Sequence, residues 1–138
     1  MTEILLAEDN PADVYLIREA LREHGVECPL RVVWDGKEVL EFLTGQTERS
    51  NLGLIILDLN LPRHDGIEVL QRLRETAALS EVPVVVLTSS DSPRDRVVAS
   101  ELGASCYLRK PSGLEQFLSL GGVFKNLLSS KQTKAEGQ

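Results

Sequence analysis

Two runs, Leu54-Ile55-Ile56-Leu57 and Val84-Val85-Val86-Leu87, are apolar at every position. Successive side chains of a strand point to opposite faces, so a run without alternation has to be buried on both. That places the two runs at the centre of a parallel sheet with cover on each side. Strand-like runs at 3–7, 30–34, 52–57, 82–88 and 105–108 alternate with helix-like stretches, the pattern of a sheet flanked by helices on both faces. The expected class is α/β: a doubly wound, five-stranded parallel sheet.

The helices carry their own start and stop signals. Asn10 can cap the first, Pro11 suits its first position, and Asp13 sits where the helix dipole favours negative charge. Val14, Leu16, Ile17, Ala20 and Leu21 supply its buried face, and His24-Gly25 ends it. Helices are expected over 36–43 and 66–75, both with apolar residues at helical spacing. Ser92-Pro93-Arg94-Asp95 opens a fourth that runs to about 102. A last helix is expected over 114–128. Its Gly121-Gly122 pair is anomalous, because each glycine costs roughly 1 kcal/mol against alanine in a helix interior, so a kink or a close contact is expected there. The polar stretch 129–138 reads as a frayed tail appended to a folded unit over 1–128.

Composition narrows the function. At 138 residues the chain is expected to be one domain, too short for a second effector domain beside it. A formal charge of -6 without a basic stripe argues against a nucleic-acid surface. Cys28 and Cys106 are far apart and His24 and His64 lie at no metal-ligand spacing, so neither a disulfide framework nor a zinc site is suggested. No run of 18 apolar residues is present and the N-terminus lacks the pattern of a signal peptide. A soluble, cytoplasmic protein is expected, with no membrane partner.

The chemistry lies at the ends of the strands. Glu8-Asp9 follow the first run, Asp58 the third, Thr88 closes the fourth, and Lys110 lies just beyond the fifth. In an open doubly wound sheet, ligands bind beyond the carboxyl ends of the strands where strand order reverses. With order 2-1-3-4-5, the first and third strands are neighbours and Glu8, Asp9 and Asp58 meet. Crowded carboxylates repel one another unless a cation sits among them, and Mg2+ takes such oxygen donors together with water and phosphate. Asp58 is then placed to act as a nucleophile and form an aspartyl-phosphate. Lys110 offers a mobile positive charge and Thr88 a hydroxyl donor to phosphate oxygen. Each signal alone is weak, and a lone acidic pair is most often a solvated loop. Their joint order on successive strand ends is what carries the reading. Tyr107 reads by default as a partly buried aromatic, Cys106 as a small core residue, Trp34 as packing at the end of the second strand, His24 as a helix-end group and His64 as a loop residue near the site.

In these residues the chain resembles the receiver domain of response regulators over about residues 3–128. The likeness rests on Glu8-Asp9, on Asp58 within Leu57-Asp58-Leu59-Asn60-Leu61-Pro62, on Asp65-Gly66, on Thr88 and on Lys110-Pro111. The resemblance implies a flavodoxin-like fold with sheet order 2-1-3-4-5. It further implies that Asp9, Asp58 and the backbone carbonyl of Asn60 bind Mg2+, with Glu8 acting through water. Asp58 would be the phosphoacceptor, Thr88 would follow the phosphoryl group inward, and Tyr107 would change rotamer with it. The Lys110–Pro111 bond would be cis, which an X-Pro bond permits at modest cost. More narrowly, Glu8-Asp9-Asn10-Pro11-Ala12-Asp13 together with Leu57-Asp58-Leu59-Asn60-Leu61-Pro62 is similar to the small single-domain regulators that serve phytochrome-type histidine kinases. His64, where many relatives carry Met, and Gly121-Gly122 depart from common patterns.

The expected function is that of a single-domain response regulator in a two-component phosphorelay. It would accept a phosphoryl group on Asp58 from a histidine kinase, a phytochrome-type one among the candidates, or from a histidine phosphotransfer protein. It would label itself from small donors, lose the phosphoryl group by itself, and signal through protein contacts, with a symmetric homodimer as one option. It is not expected to be an enzyme. The alternatives are a small haloacid-dehalogenase-like phosphatase, a flavodoxin-like cofactor binder, and a docking module that works without phosphorylation.

Overall fold

The computed structural model describes residues 2–44, 51–90 and 92–136, with side chains described through Leu128. Five parallel strands, β1 (Glu3–Ala7), β2 (Leu30–Val33), β3 (Leu52–Leu57), β4 (Val84–Thr88) and β5 (Cys106–Arg109), form one sheet in the order 2-1-3-4-5. Helices α1 (Pro11–Glu23), α2 (Gly36–Thr44), α3 (Gly66–Glu75), α4 (Pro93–Glu101) and α5 (Leu114–Glu136) connect or follow them, with a short 3-10 turn at Ala77–Leu79. This is the flavodoxin-like doubly wound fold expected from the sequence.

The two unbroken apolar runs behave as period two requires. Ile4, Leu6, Leu54, Ile56, Val85 and Leu87 face one core with Val14, Ile17 and Leu21 of α1 and Phe117, Leu120, Phe124 and Leu128 of α5. Leu5, Ala7, Ile55, Leu57, Val84 and Val86 face the other, against Val39 and Leu43 of α2, Val69, Leu70 and Leu73 of α3, and Ala99 of α4. Each fully buried aliphatic side chain contributes roughly 1.5–3 kcal/mol of transfer free energy, so the central strands hold both layers at once. β4 starts two residues later than expected because Pro83 has no N–H to give the ladder. Its carbonyl still accepts from the Ile55 amide at 2.9 Å.

Local capping follows the sequence. Asn10 Oδ1 accepts from the Ala12 amide at 2.9 Å, Ser92 Oγ from the Asp95 amide at 3.2 Å, and Asp65 Oδ1 from the Ile67 amide at 2.9 Å. Gly25 takes the left-handed conformation after α1, with φ +73°. α5 continues to Glu136 rather than ending at 128. The backbone of 129–136 contains no proline or glycine to break it, so polarity alone did not mark an end. Residues 137 and 138 of the expected tail lie outside the described residues. Among those residues no helix is long and apolar enough to cross a membrane, and no peptide bond is cis. The Lys110–Pro111 bond is therefore trans, against the expectation, and takes the isomer that an X-Pro amide favours intrinsically.

The glycine pair in α5 marks a close contact. A Cβ on Gly121 would fall well inside contact distance of the Ala20 carbonyl oxygen and of His24 Nδ1, and those two atoms lie 3.0 Å apart. The backbone of α1 thus lies directly on α5 where a side chain is missing. Gly121→Ala should cost about 1–2 kcal/mol of stability, the overlap exceeding the gain of roughly 1 kcal/mol in helix propensity. Urea denaturation measures this, and an unchanged midpoint would show that α1 can move aside.

Candidate functional site

The backbone of the site is an extension of the sheet ladder. The amide of Glu8, one residue past β1, donates to Val33 O at 3.0 Å, and that of Asp58 donates to Ala7 O at 3.0 Å. The Lys110 amide donates to Thr88 O at 2.8 Å. Three of the chemical positions are thereby fixed by hydrogen bonds between neighbouring strands, and their side chains leave the same edge.

Glu8, Asp9 and Asp58 come together, with one carboxylate oxygen from each within 4.8 Å of the others. Glu8 and Asp58 are buried and Asp9 is exposed. Three hard oxygen donors, two of them shielded from water, are a donor set suited to Mg2+, which shares carboxylates with water and phosphate. The arrangement fits the cation inferred from the sequence.

Lys110 reaches into this cluster. Its Nζ lies 2.8 Å from Glu8 Oε1, 2.8 Å from Asp58 Oδ2 and 2.8 Å from Asp13 Oδ2. Burial alone would lower its pKa, but the hydrogen bonds to Asp13, Asp58 and Glu8 outweigh it and the group is held firmly protonated. Glu8 is pushed up to about 7, chiefly by burial and further by the charge of Asp58, with Lys110 opposing both. A carboxyl whose folded pKa exceeds its unfolded value of 4.5 holds its proton more tightly in the folded state. Metal-free stability should therefore fall as pH rises from about 4.5 to 7. A divalent cation needs the ionised form, so its affinity should rise over the same range. Calorimetric Mg2+ titrations at several pH values check this. Glu8→Gln should flatten the pH dependence, and a wild-type affinity that stays level across the range would contradict it.

Thr88, at the end of β4, is fully buried, and its Oγ1 accepts from Asn60 Nδ2 at 3.0 Å and from the Ser90 amide at 3.2 Å. With both bonds accepted, the hydroxyl proton is left to donate elsewhere. Asn60 is tied to Asp58 as well, its amide donating to Asp58 Oδ1 at 2.9 Å. Tyr107 on β5 is half-buried, and its hydroxyl donates to Ser90 O at 3.4 Å. Arg96 of α4 lies over the Tyr107 ring at 4.6 Å from its centroid and donates to the Tyr107 carbonyl at 3.3 Å. Asn60, Thr88, Ser90, Tyr107 and Arg96 thus form one connected path from the acidic cluster to α4.

His64 makes its contacts outside the acidic cluster. Its Nδ1 is 3.3 Å from Glu68 Oε1, and its Cβ packs against Gly36 at the start of α2. Two residues of the arrangement carry no signal in the sequence that marks them as site groups. Asp13 reads as a helix-dipole residue, although its position in the first turn after Glu8-Asp9 keeps it near the same sheet edge. Arg96 carries no local signal for its contact with Tyr107.

Known proteins share this fold and part of this sequence. Residues 4–120 match the family described as response regulator receiver domain. The response regulator Rcp1 of Synechocystis sp. is 39% identical over 120 residues, which is 85% of this chain and 82% of that protein. The structure of the phosphorylated cyanobacterial phytochrome response regulator RcpA superposes with a TM-score of 0.83 at 38% identity, covering 94% of this chain and 95% of that one. An Mn2+-bound form of Rcp1 superposes with a TM-score of 0.79 at 37% identity, covering 91% and 92%. RegX3 of Mycolicibacterium smegmatis, 37% identical, is longer, and the chain spans 48% of its length.

Proposed function

The chain belongs to the family of response-regulator receiver domains, and from that premise we propose that Asp58 is its phosphoacceptor, served by Lys110 and Thr88, with Asp9, Asp58 and the Asn60 carbonyl as metal ligands and Glu8 acting through water. Receiver domains are phosphoacceptors that work within histidine-kinase phosphorelays and are not multiple-turnover hydrolases, which sets the phosphatase reading aside. The observation that carries the assignment is the position of Asp58. It is the buried carboxylate that belongs to the acidic cluster, bonds Lys110 and receives the Asn60 amide all at once.

A carboxylate oxygen of Asp58 attacks the phosphorus of a phosphohistidine. The new O–P bond forms as the P–N bond breaks, and its electron pair returns to the departing imidazole. Mg2+, when bound, neutralises carboxylate charge and offers a Lewis-acid site to phosphoryl oxygen. Lys110 supplies the second positive charge. The Thr88 hydroxyl, already accepting two hydrogen bonds, donates its free proton to a phosphoryl oxygen. The Ser90 amide donates to Thr88 Oγ1, so movement of Thr88 changes the Ser90 segment and the Tyr107 hydroxyl that bonds to it, and Tyr107 is the switch aromatic.

The phosphodonor is read more finely as a phytochrome-type histidine kinase, on the strength of the likeness to RcpA and Rcp1. Phosphotransfer from such a kinase, run beside an unrelated histidine kinase, checks that reading, and equal rates from both would remove it. The receiver unit is taken as 1–128, which includes the buried Leu128 of α5, with 129–138 appended. Leu114, exposed at the start of α5, offers apolar surface to a kinase or to a second copy of the chain. The test of the whole reading is intact-mass spectrometry after incubation with acetyl phosphate. One phosphate adduct that requires Mg2+ is expected. No adduct under any condition would leave a docking module in its place.

A further inference from the structure

An ammonium group has three N–H donors, and Lys110 directs them at three carboxylates: Glu8, Asp58 and Asp13, each at 2.8 Å. Two of these partners belong to the acidic cluster that suits a divalent cation. Asp13 does not. A carboxylate committed to a cation or to a phosphoryl group has less charge left for an ammonium, so Glu8 and Asp58 weaken as partners for Lys110 when the site is in use. Asp13 keeps its full charge.

We propose that Asp13 is the positioning residue for Lys110, the counter-ion that keeps its ammonium beside Asp58 when Glu8 and Asp58 are occupied. The inference rests on the receiver reading of the same site. Asp13 is placed for this by the turn that opens α1. Asn10 caps the helix, Pro11 begins it, and the third helical residue faces the end of β5 across the sheet edge. The Asp13–Lys110 pair is mostly shielded from water, with side-chain exposures of 18% and 12%, so it is not an exposed ion pair of negligible worth. With that pair intact, two ammonium donors remain for phosphoryl oxygens. Without it, Lys110 is repelled by the bound cation and has no fixed anion to hold it near Asp58.

The test compares wild type, Asp13→Asn and Asp13→Glu, each alone and combined with Lys110→Ala, with two readouts. At saturating Mg2+, labelling of Asp13→Asn by acetyl phosphate should slow about tenfold, the scale of one charge-assisted hydrogen bond, and Asp13→Glu should recover part of the rate. In the Lys110→Ala background, Asp13→Asn should add no further loss, since the partner is gone. Independently of labelling, side-chain NMR of the Mg2+-loaded protein should show a Lys110 ammonium protected from exchange in wild type and lost in Asp13→Asn. A wild-type labelling rate with a protected ammonium in Asp13→Asn would overturn the proposal, as would an equal slowing in the Lys110→Ala background. Failure of the wild type itself to label would instead strike the receiver reading, while the ammonium signal would still report on the Asp13–Lys110 pair.

Discussion

Asp58→Asn will take up no phosphoryl group from acetyl phosphate under conditions in which the wild type gains one adduct. Asparagine keeps the size of the side chain and the carbonyl that accepts the Asn60 amide at 2.9 Å. It removes the anionic oxygen that bonds Lys110 at 2.8 Å and that would attack phosphorus. An amide oxygen is a poor nucleophile, and among the described residues no other carboxylate combines the burial of Asp58 with both the acidic cluster and the Asn60 amide. Glu8 is also buried, but it is pushed toward its neutral form, and Asp9 is exposed. The circular dichroism spectrum should be unchanged. A phosphate retained on the variant and mapped to Glu8 or Asp9 would sink the assignment of Asp58.

Gly66→Ala will lower stability by about 3 kcal/mol, a drop in Tm of about 10 °C by thermal denaturation. A Cβ on Gly66 would fall well inside contact distance of Leu59 Cα, C and O, all of them backbone atoms that no rotamer change can move. Gly66 stands at the first position of α3, where alanine regains little helix propensity to offset the clash. The cost extends to chemistry. Leu59 is the residue after Asp58, and Asn60 follows with its bonds to Asp58 and Thr88. Displacing Leu59 displaces both. A Tm within about 2 °C of wild type would mean the turn can re-form around a methyl group.

Features carried by local sequence were legible before the structure. Unalternating apolar runs gave the central strands, and Asn10-Pro11 and Ser92-Pro93 gave two helix starts, because capping needs only neighbours along the chain. The acidic cluster was also legible, since a doubly wound order makes the first and third strands neighbours. What depends on partners distant in sequence was not. Lys110 and Asp13 are 97 positions apart, and nothing in the first turn of α1 distinguishes an aspartate held by a lysine from one that only faces the helix dipole. The Arg96–Tyr107 stack joins a helix with few buried residues to an edge strand, where periodicity gives no pairing. Polarity misread the end of α5, because a helix can continue in water without an apolar face.

The ladder bonds at the strand ends have a consequence for how the site can be observed. The amides of Glu8, Asp58 and Lys110 are held by Val33, Ala7 and Thr88, on strands that are neighbours in the sheet. Their exchange with deuterated water is therefore tied to opening of the sheet, the slowest event in a domain of this kind. The backbone beneath the acidic cluster should keep its protons for as long as the molecule stays folded, although Asp9 of the same cluster is exposed to solvent.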